Sequence, residues 1–549
     1  MVNSTIFFVN KKEGTFYMSY FTTRETFFVI PLSTYDGEIQ KIDNFLILLE
    51  KSGVGEVIEK AEYRNSPKGR KSYNPYNLFA SILFLNSKRI TSLRDIAEAF
   101  IYDLRVLYIM EQERPSYKTI NDFINNVITP NRDRIFSLIT KAIIDEFNLD
   151  ISDQYLDGTK FEANANKYKF VYISEKRMDS LNEKIINLYS EMNITVYDTD
   201  KRISSKDLNS IILSYAKDNN VDILNIPNGK GKRLTREQRI VKTGFEYLSK
   251  LLEYEENVRI CGGNRKSFYK TEHDATAMCL KSDYYSKLGT NTHAAYNIQI
   301  LVSAGLITMY GVYQDRTDYH TLPNMIERYR DNYSSYPLNL CADAGYGIYD
   351  NYCYLNDKKI NNYVKYQNWQ GEATGKNPQR YFFGDDNSLR CLNGNEGKII
   401  PFGKVHQKSK GSNLYHFEGC LNCKHEKICR KKRKNRDNDY TDAELNLKYE
   451  LYKKQARENL QSVPGIEIRV NRSIQVEGTF GNIKQNYGFV RLKRRGLNNV
   501  GTEIMMVCLS VNIRKYFTLK NNPTEIKSKY WLADENTQPE VFPNKNKKK

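Results

Sequence analysis

Residues 149–158 read LDISDQYLDG. Leu149, Ile151, Asp153, Tyr155 and Asp157 alternate along the chain, so they share one face of a strand whose last residue before Gly158 is an aspartate. A carboxylate at the C-terminal edge of a strand is well placed to hold a metal. The plainer reading of Asp157-Gly158 is a turn, and this stretch alone leaves both open. A second run of the same kind, PLNLCADAGYG at 337–347, carries Leu338, Leu340 and Ala342 through a buried strand into Asp343. A third stretch, RSIQVEGTFGNIKQNYG at 472–488, repeats Val476, Phe480, Ile483 and Tyr487 at helical spacing. Glu477, Gly481 and Lys484 line the adjoining face, which offers one metal ligand and one phosphate contact, or simply a solvated surface.

Between the two aspartates, residues 175–255 are charged and helical in period, with a polar break at Asn228, Gly229, Lys230, Gly231 and Lys232. They read as an inserted helical hairpin. The break is no phosphate-binding loop, because neither a GK[ST] pattern nor a preceding strand accompanies it. YNIQILVSA and LITMYGVYQ, joined at Ala304-Gly305, make a strand hairpin, followed by a helix over 321–331. A further strand covers 360–366. Stripped of insertions, the order predicts an α/β fold, a mixed sheet with helices packed on it, in which two strand-end carboxylates and one helix carboxylate can converge.

Residues 1–40 show no period and are an unassigned arm. From 41 to 130 the pattern is helical: Phe45, Leu46, Leu48 and Leu49, then Leu78 to Leu85 after Tyr73-Asn74-Pro75, then a helix capped by Ser92. Ser116 caps the next helix, with Ile120 and Phe123 buried. Two short helices around a tight connection resemble a helix-turn-helix and equally a plain helical bundle. A further helix covers 132–147.

Residues 367–459 form a polar insertion holding Cys391, Cys420, Cys423 and Cys429, followed by the basic run from Arg430 to Arg436. These cysteines make a four-thiolate zinc knuckle, with His416 or His425 as a substitute ligand, or else free thiols in a basic loop. An apolar helix over 504–516 precedes a basic tail, 518–549, that ends in Lys545, Lys547, Lys548 and Lys549.

The chain has 549 residues, enough for two to four domains. Its 83 Lys plus Arg against 65 Asp plus Glu give a formal charge of +18, which points to a polyanionic partner, nucleic acid first. Mean hydropathy is −0.64 and no apolar run has spanning length, so no membrane partner is expected. Nine cysteines, an odd count and mostly scattered, do not make a secreted disulfide framework. No secretory signal opens the chain, and the expected setting is a reducing cytoplasm.

Three blocks taken together, DGTKFEANANKYKF from Asp157, CADAGYG from Cys341 and RSIQVEGTFGNIKQNYGF from Arg472, resemble the signature blocks of DDE transposases from bacterial insertion sequences, most closely the branch numbered 1182. The resemblance extends to RPSYKTINDF, to KTEHDATAMCLKSDYYSKLGTNTHAAYNIQ, to QDRTDYHTL and to the cysteine cluster. It implies a ribonuclease H-like core over 131–366 and 460–517, preceded by an all-α, helix-turn-helix-like DNA-binding domain. It also implies Asp157, Asp343 and Glu477 as the catalytic and metal-binding triad, holding two Mg2+ ions with Mn2+ as a substitute, while a structural Zn2+ on the cysteines rests on their spacing alone. The expected reaction is metal-dependent cleavage and strand transfer at the element's ends. The alternatives are a nuclease that cuts without joining and a non-catalytic DNA-binding descendant of a transposase. Partners are double-stranded DNA, as terminal inverted repeats and target, and a second copy of the chain in a synaptic homodimer. Related sequences carry Tyr-x2-Arg-x3-Glu-x6-Lys; here Glu477 and Lys484 fit, Val470 and Ser473 hold the other two positions, and Arg472 lies one place off. Arg472, Lys484, Arg491, Lys493, Arg494, Arg495 and Lys167 are the expected DNA contacts, with Asn164 and Asn166 beside the flanking strand.

Overall fold

The computed structural model describes residues 36–61, 72–195, 202–227, 233–262, 265–281, 292–383, 388–402, 411–429 and 438–522. Most of the N-terminal arm, the break at 228–232, the basic run at 430–436 and nearly all of the tail lie outside these residues. The chain divides into two compact units: Met1–Thr159 with Asn297–Val490 and Asn498–Lys549, and Lys160–Tyr296 with Arg491–Leu497.

The strands are, in chain order, β1 (Asp153–Glu162), β2 (Phe170–Tyr172), β3 (Ser267–Tyr269), β4 (Thr276–Cys279), β5 (Thr292–Ser303), β6 (Leu306–Tyr313), β7 (Asn339–Ala342) and β8 (Asn361–Val364). In the first unit the sheet runs β6-β5-β1-β7-β8. Strands β1, β7 and β8 are parallel, with Leu156 opposite Ala342 and Ala342 opposite Val364. Strands β5 and β6 are an antiparallel hairpin whose two turn residues, Ala304 and Gly305, both have positive φ, as a tight two-residue turn requires. The sequence-expected mixed α/β sheet is therefore present. Both ends of β1 differ from the sequence reading: it begins at Asp153, after Leu149 and Ile151, and it does not stop at Asp157 but continues through Gly158 to Glu162. The Asp-Gly pair reads as a turn, yet here ladder pairing outweighs its local preference.

Helices α1 (Asp36–Lys51), α2 (Val54–Lys60), α3 (Pro75–Ser87), α4 (Leu93–Tyr102), α5 (Leu104–Ile109), α6 (Tyr117–Phe123) and α7 (Thr129–Phe147) precede the sheet in the same unit. Asn74 caps α3 by accepting from the N–H groups of Tyr76 and Asn77, with Pro75 at the first position, where its missing N–H costs nothing. Ser116 caps α6 as expected, whereas Ser92 makes no side-chain bond to α4. A π turn at Ile124–Ile128 joins α6 to α7, so the two helices expected around residue 130 are one continuous run.

The second unit holds α8 (Glu175–Glu191), α9 (Ser205–Asp218) and α10 (Arg236–Cys261), three helices where the sequence suggested a hairpin. They close over Ile185, Leu188, Ile212, Val241 and Leu251. Ser174 and Ser204 cap the first two, and Thr235 with Gln238 forms a capping box on the third. Strand β2 pairs antiparallel with β3, and β4 pairs with the first residues of β5.

The remaining elements are α11 (Thr321–Tyr333), α12 (Tyr349–Asp357), α13 (Trp369–Ala373), β9 (Tyr381–Phe383), β10 (Leu389–Cys391), β11 (Lys398–Ile400), β12 (Asn413–Glu418), α14 (Glu426–Cys429), β13 (Tyr440–Leu445), α15 (Leu447–Gln461), α16 (Val463–Arg472), α17 (Gly478–Gly481) and α18 (Leu497–Asn521). Leu156, Leu340, Ala342 and Val364 of the parallel strands pack with Leu322, Met325 and Ile326 of α11, Leu355 of α12, and Ala456 and Leu460 of α15. Each large aliphatic side chain buried there contributes roughly 1.5–3 kcal/mol. That packing fixes the strand ends on which the site is built. Among the described residues, no helix is long and apolar enough to cross a membrane.

Candidate active site

Parallel pairing sets the first two acids. Leu156 opposes Ala342, so the next residues, Asp157 and Asp343, leave adjacent strands at the same level, and Lys365 follows Val364 one strand further on. Asp157 Oδ1 accepts from the N–H of Gly158, and Asp343 Oδ1 from that of Gly345, both at 2.8 Å.

The third acid comes from the helix expected at 472–488. Its apolar stripe is as predicted, with Val476, Phe480 and Ile483 buried. Its backbone is not a plain α-helix: π turns at Ser473–Glu477 and Asn482–Asn486 flank the short α17. A π turn takes one extra residue, so Arg472, five before Glu477, meets its carboxylate as a residue four before would in an α-helix. The one-place offset of Arg472 from the related pattern is absorbed in this way.

Arg472 is 7 % exposed, and its guanidinium is the point on which the acids converge. Nη2 lies 3.3 Å from Asp157 Oδ2 and 3.9 Å from Asp343 Oδ2, and Nη1 lies 3.8 Å from Glu477 Oε1. Ser473 donates to the same Glu477 oxygen at 3.3 Å. The structure thus gives Arg472 three carboxylate neighbours, because the π turn and its burial aim it inward. Lys484 donates to Thr159 Oγ1 at 2.5 Å, two residues beyond Asp157 on β1.

A fourth acid, Asp318, was not singled out from sequence. Its Oδ1 accepts from Asn297 Nδ2 at 2.7 Å and Gln299 Nε2 at 2.8 Å, and buried Tyr346 donates to Gln299 Oε1. Asp318 abuts both aspartate blocks: a Cβ placed on Gly158 would stand 2.9 Å from its Oδ1, and one on Gly345 3.6 Å from its Oδ2. The first of these would also meet Gln299 Nε2 at 2.0 Å, so only glycine fits after Asp157.

Burial pushes the Asp157 carboxyl up to about 6. The Arg472 guanidinium and the Gly158 N–H pull it back, while the carboxylates of Asp343 and Asp318 push it further up. Burial also lowers the Lys365 ammonium, and Arg472 adds to that. The site is therefore short of positive charge: several carboxylates share one guanidinium whose Nε makes no hydrogen bond.

The other expected sites lie elsewhere. Lys167, Arg491, Lys493, Arg494 and Arg495 belong to the second unit. Arg491 faces Glu162 at 3.6 Å, Arg495 Nε donates to the Asn164 carbonyl at 2.8 Å, and Lys167 lies over the Tyr168 ring at 5.4 Å. Cys391, Cys420, Cys423 and Cys429 line one cavity with His425, while His416 is turned to Asp442 at 2.7 Å. The N–H of His425 donates to Cys423 Sγ at 3.5 Å. Burial raises the Cys429 thiol; Arg380 opposes this, and Cys391, Cys423 and Cys420 add to it. Among the described residues no three His, Cys, Asp or Glu side chains stand arranged to hold a metal ion, at either place.

Residues 390–517 match the family described as Transposase DDE domain. That stretch includes Glu477, Arg472, Lys484 and the four cysteines, but neither aspartate. No curated protein and no solved structure matches the chain.

Proposed function

We propose that the chain is a DDE transposase that cuts DNA at the ends of an insertion sequence and joins the freed end to target DNA. The observation carrying this reading is the gathering of Asp157, Asp343 and Glu477 around Arg472, in a chain that also carries a stretch matching a transposase domain. The order of the sheet, with Asp157 on β1 just past its pairing with β7 and Asp343 just beyond the end of β7, supports a ribonuclease H-like core.

The donor set fits a hard divalent cation, since every candidate ligand is a carboxylate oxygen and the one guanidinium beside Asp157 does not offset its burial. Asp157, Asp343 and Glu477 would hold Mg2+, with Mn2+ as substitute, and the ions supply charge neutralisation for phosphoryl transfer. In the first step water oxygen bonds to phosphorus and the P–O3′ bond breaks, leaving a 3′-hydroxyl and a 5′-phosphate. In the second that hydroxyl bonds to a target phosphorus and the target's 3′-oxygen leaves. Asp157 must give up its proton to act, which its raised carboxyl does above about pH 6. Arg472 holds the carboxylates together, and Lys484, held at Thr159, brings positive charge toward a phosphate. The partners are terminal inverted repeats, target DNA and a second copy of the chain, since two ends must be held at once.

By donor chemistry the cysteine cavity suits a structural Zn2+. One zinc per chain by native mass spectrometry, lost in Cys423→Ser, checks it; a zinc-free chain of unchanged stability sinks it.

Cleavage and joining of labelled DNA bearing the element's end, in Mg2+, tests the function. Joined product from the native chain and none from Glu477→Gln is the expected result. End binding without product from either protein would move the reading to a non-catalytic DNA-binding protein.

A further inference from the structure

The second unit presents an aromatic surface that its core does not use. The turn into β2 and the strand itself read Lys167-Tyr168-Lys169-Phe170-Val171-Tyr172. Tyr168 is 85 % exposed, Phe170 44 % and Tyr172 56 %. Phe170 and Tyr172 alternate onto one face of β2, and Tyr168 stands in the turn just before it. Phe170 is backed by the buried ring of Tyr269 on β3, 5.4 Å away. The two rings stand side by side on one face of the pair, and Phe170 remains partly open to solvent. Lys167 and Lys169 meet no carboxylate at ion-pairing distance among the described residues, and the ion pairs of Lys266 and Lys270, which flank β3, are solvent-exposed.

The basic cluster flagged near the C-terminus is tied to the same segment. Asn164 Nδ2 donates to the Lys493 carbonyl at 2.8 Å, Arg495 Nε to the Asn164 carbonyl at 2.8 Å, and Arg491 Nη2 to the Ala165 carbonyl at 3.5 Å. The arginine cluster is thus joined to the chain at Asn164 and Ala165, just before the aromatic-lysine ribbon begins.

We propose that this ribbon is a stacking platform for unpaired DNA, taking the bases of a single strand on Tyr168, Phe170 and Tyr172 and its phosphates on Lys167 and Lys169. This deepens the transposase reading and rests on it for the identity of the nucleic acid. The exposed apolar groups are rings with lysines between them, the combination that grips a strand without reading its sequence. Duplex DNA hides its base faces, so phosphate contacts alone would leave the rings idle.

The test uses the full chain and a 15-nucleotide oligothymidine carrying one 2-aminopurine, with a duplex of equal length as control. The native chain should bind the single strand and quench its fluorescence. Tyr168→Leu/Phe170→Leu/Tyr172→Leu keeps apolar bulk but removes the rings. It should bind the single strand about 10- to 100-fold more weakly and lose the quench, with duplex affinity and melting temperature unchanged. Unaltered single-strand binding by the leucine variant would overturn the proposal, marking the face as an apolar docking surface. Equal loss on single strand and duplex, or no single-strand binding by the native chain, would overturn it as well. Failure of the transposase reading shows separately, as absent cleavage of the element's end with oligonucleotide binding intact.

Discussion

The two halves of the candidate site are built in opposite ways. Asp157 and Asp343 stand on adjacent parallel strands whose register and buried neighbours leave them no other place. Glu477 stands on a helix interrupted by π turns, with a side chain 62 % exposed against 18 % for Asp157. The strand half is fixed before anything binds and carries a cost, seen in the raised Asp157 carboxyl. On the helix half, the more exposed Glu477 is expected to adjust to an arriving charge more readily than Asp157 does. Preorganisation and adaptability are thus divided between sheet and helix.

The widest separation should appear in catalysis. Asp157→Asn and Asp343→Asn should each lower DNA cleavage by about 10³-fold or more, about 4 kcal/mol in the transition state, without loss of helical content by circular dichroism. Shape should then divide the halves: Glu477→Asp should keep more activity than Asp157→Glu, which has no room to move. Equal activity of the two shape variants would break the contrast.

Glycine substitution sharpens it through stability. Gly158→Ala drives a Cβ into Gln299 and Asp318 and should cost about 3 kcal/mol in urea unfolding. Gly478→Ala, on the helix with nothing within 4 Å of its Cβ, should be neutral or about 0.5–1 kcal/mol stabilising. A Gly158→Ala variant as stable as the native chain would mean the strand half is looser than its packing implies.

Proton linkage gives the next effect. The Asp157 carboxyl is raised in the folded chain, so between about pH 4 and 6 the folded state binds more protons than the unfolded. In EDTA, stability should therefore fall as pH rises through that window, by up to about 3 kcal/mol, and the loss should be complete above it. Asp157→Asn should remove this component of the slope. A slope unchanged in that variant would place the cost elsewhere.

The smallest change expected is in Arg472→Gln. It removes the largest opposing influence on Asp157 and should move the fall in stability to higher pH in the same titration. A shift to lower pH would contradict the part given to Arg472.

Some of this was legible in the sequence because it follows from local period. Alternation gave the strands ending near Asp157 and Asp343, and helical spacing gave the buried stripe of Val476, Phe480 and Ile483. Asp318 and Lys365 were not legible, since a single charged residue outside a period looks like any other on the surface. The contact of Arg472 with the acids was not legible because a 3.6-residue turn carries a side chain five places away off the Glu477 face, and only a π turn brings it back. The continuation of β1 past Gly158 was missed because an Asp-Gly pair favours a turn when nothing else holds it.

By itself, then, the sequence determined the element types, the basic character of the chain and the identity of the acids, all properties of residue type and spacing. Only the tertiary structure decided which charges face one another. Register set Asp157 beside Asp343, a backbone irregularity turned Arg472 onto all three acids, and hairpin pairing led Asp318 to them. Electrostatic energy falls with distance in space and is indifferent to distance along the chain, so a site made from residues 157 to 477 exists only once the sheet has formed.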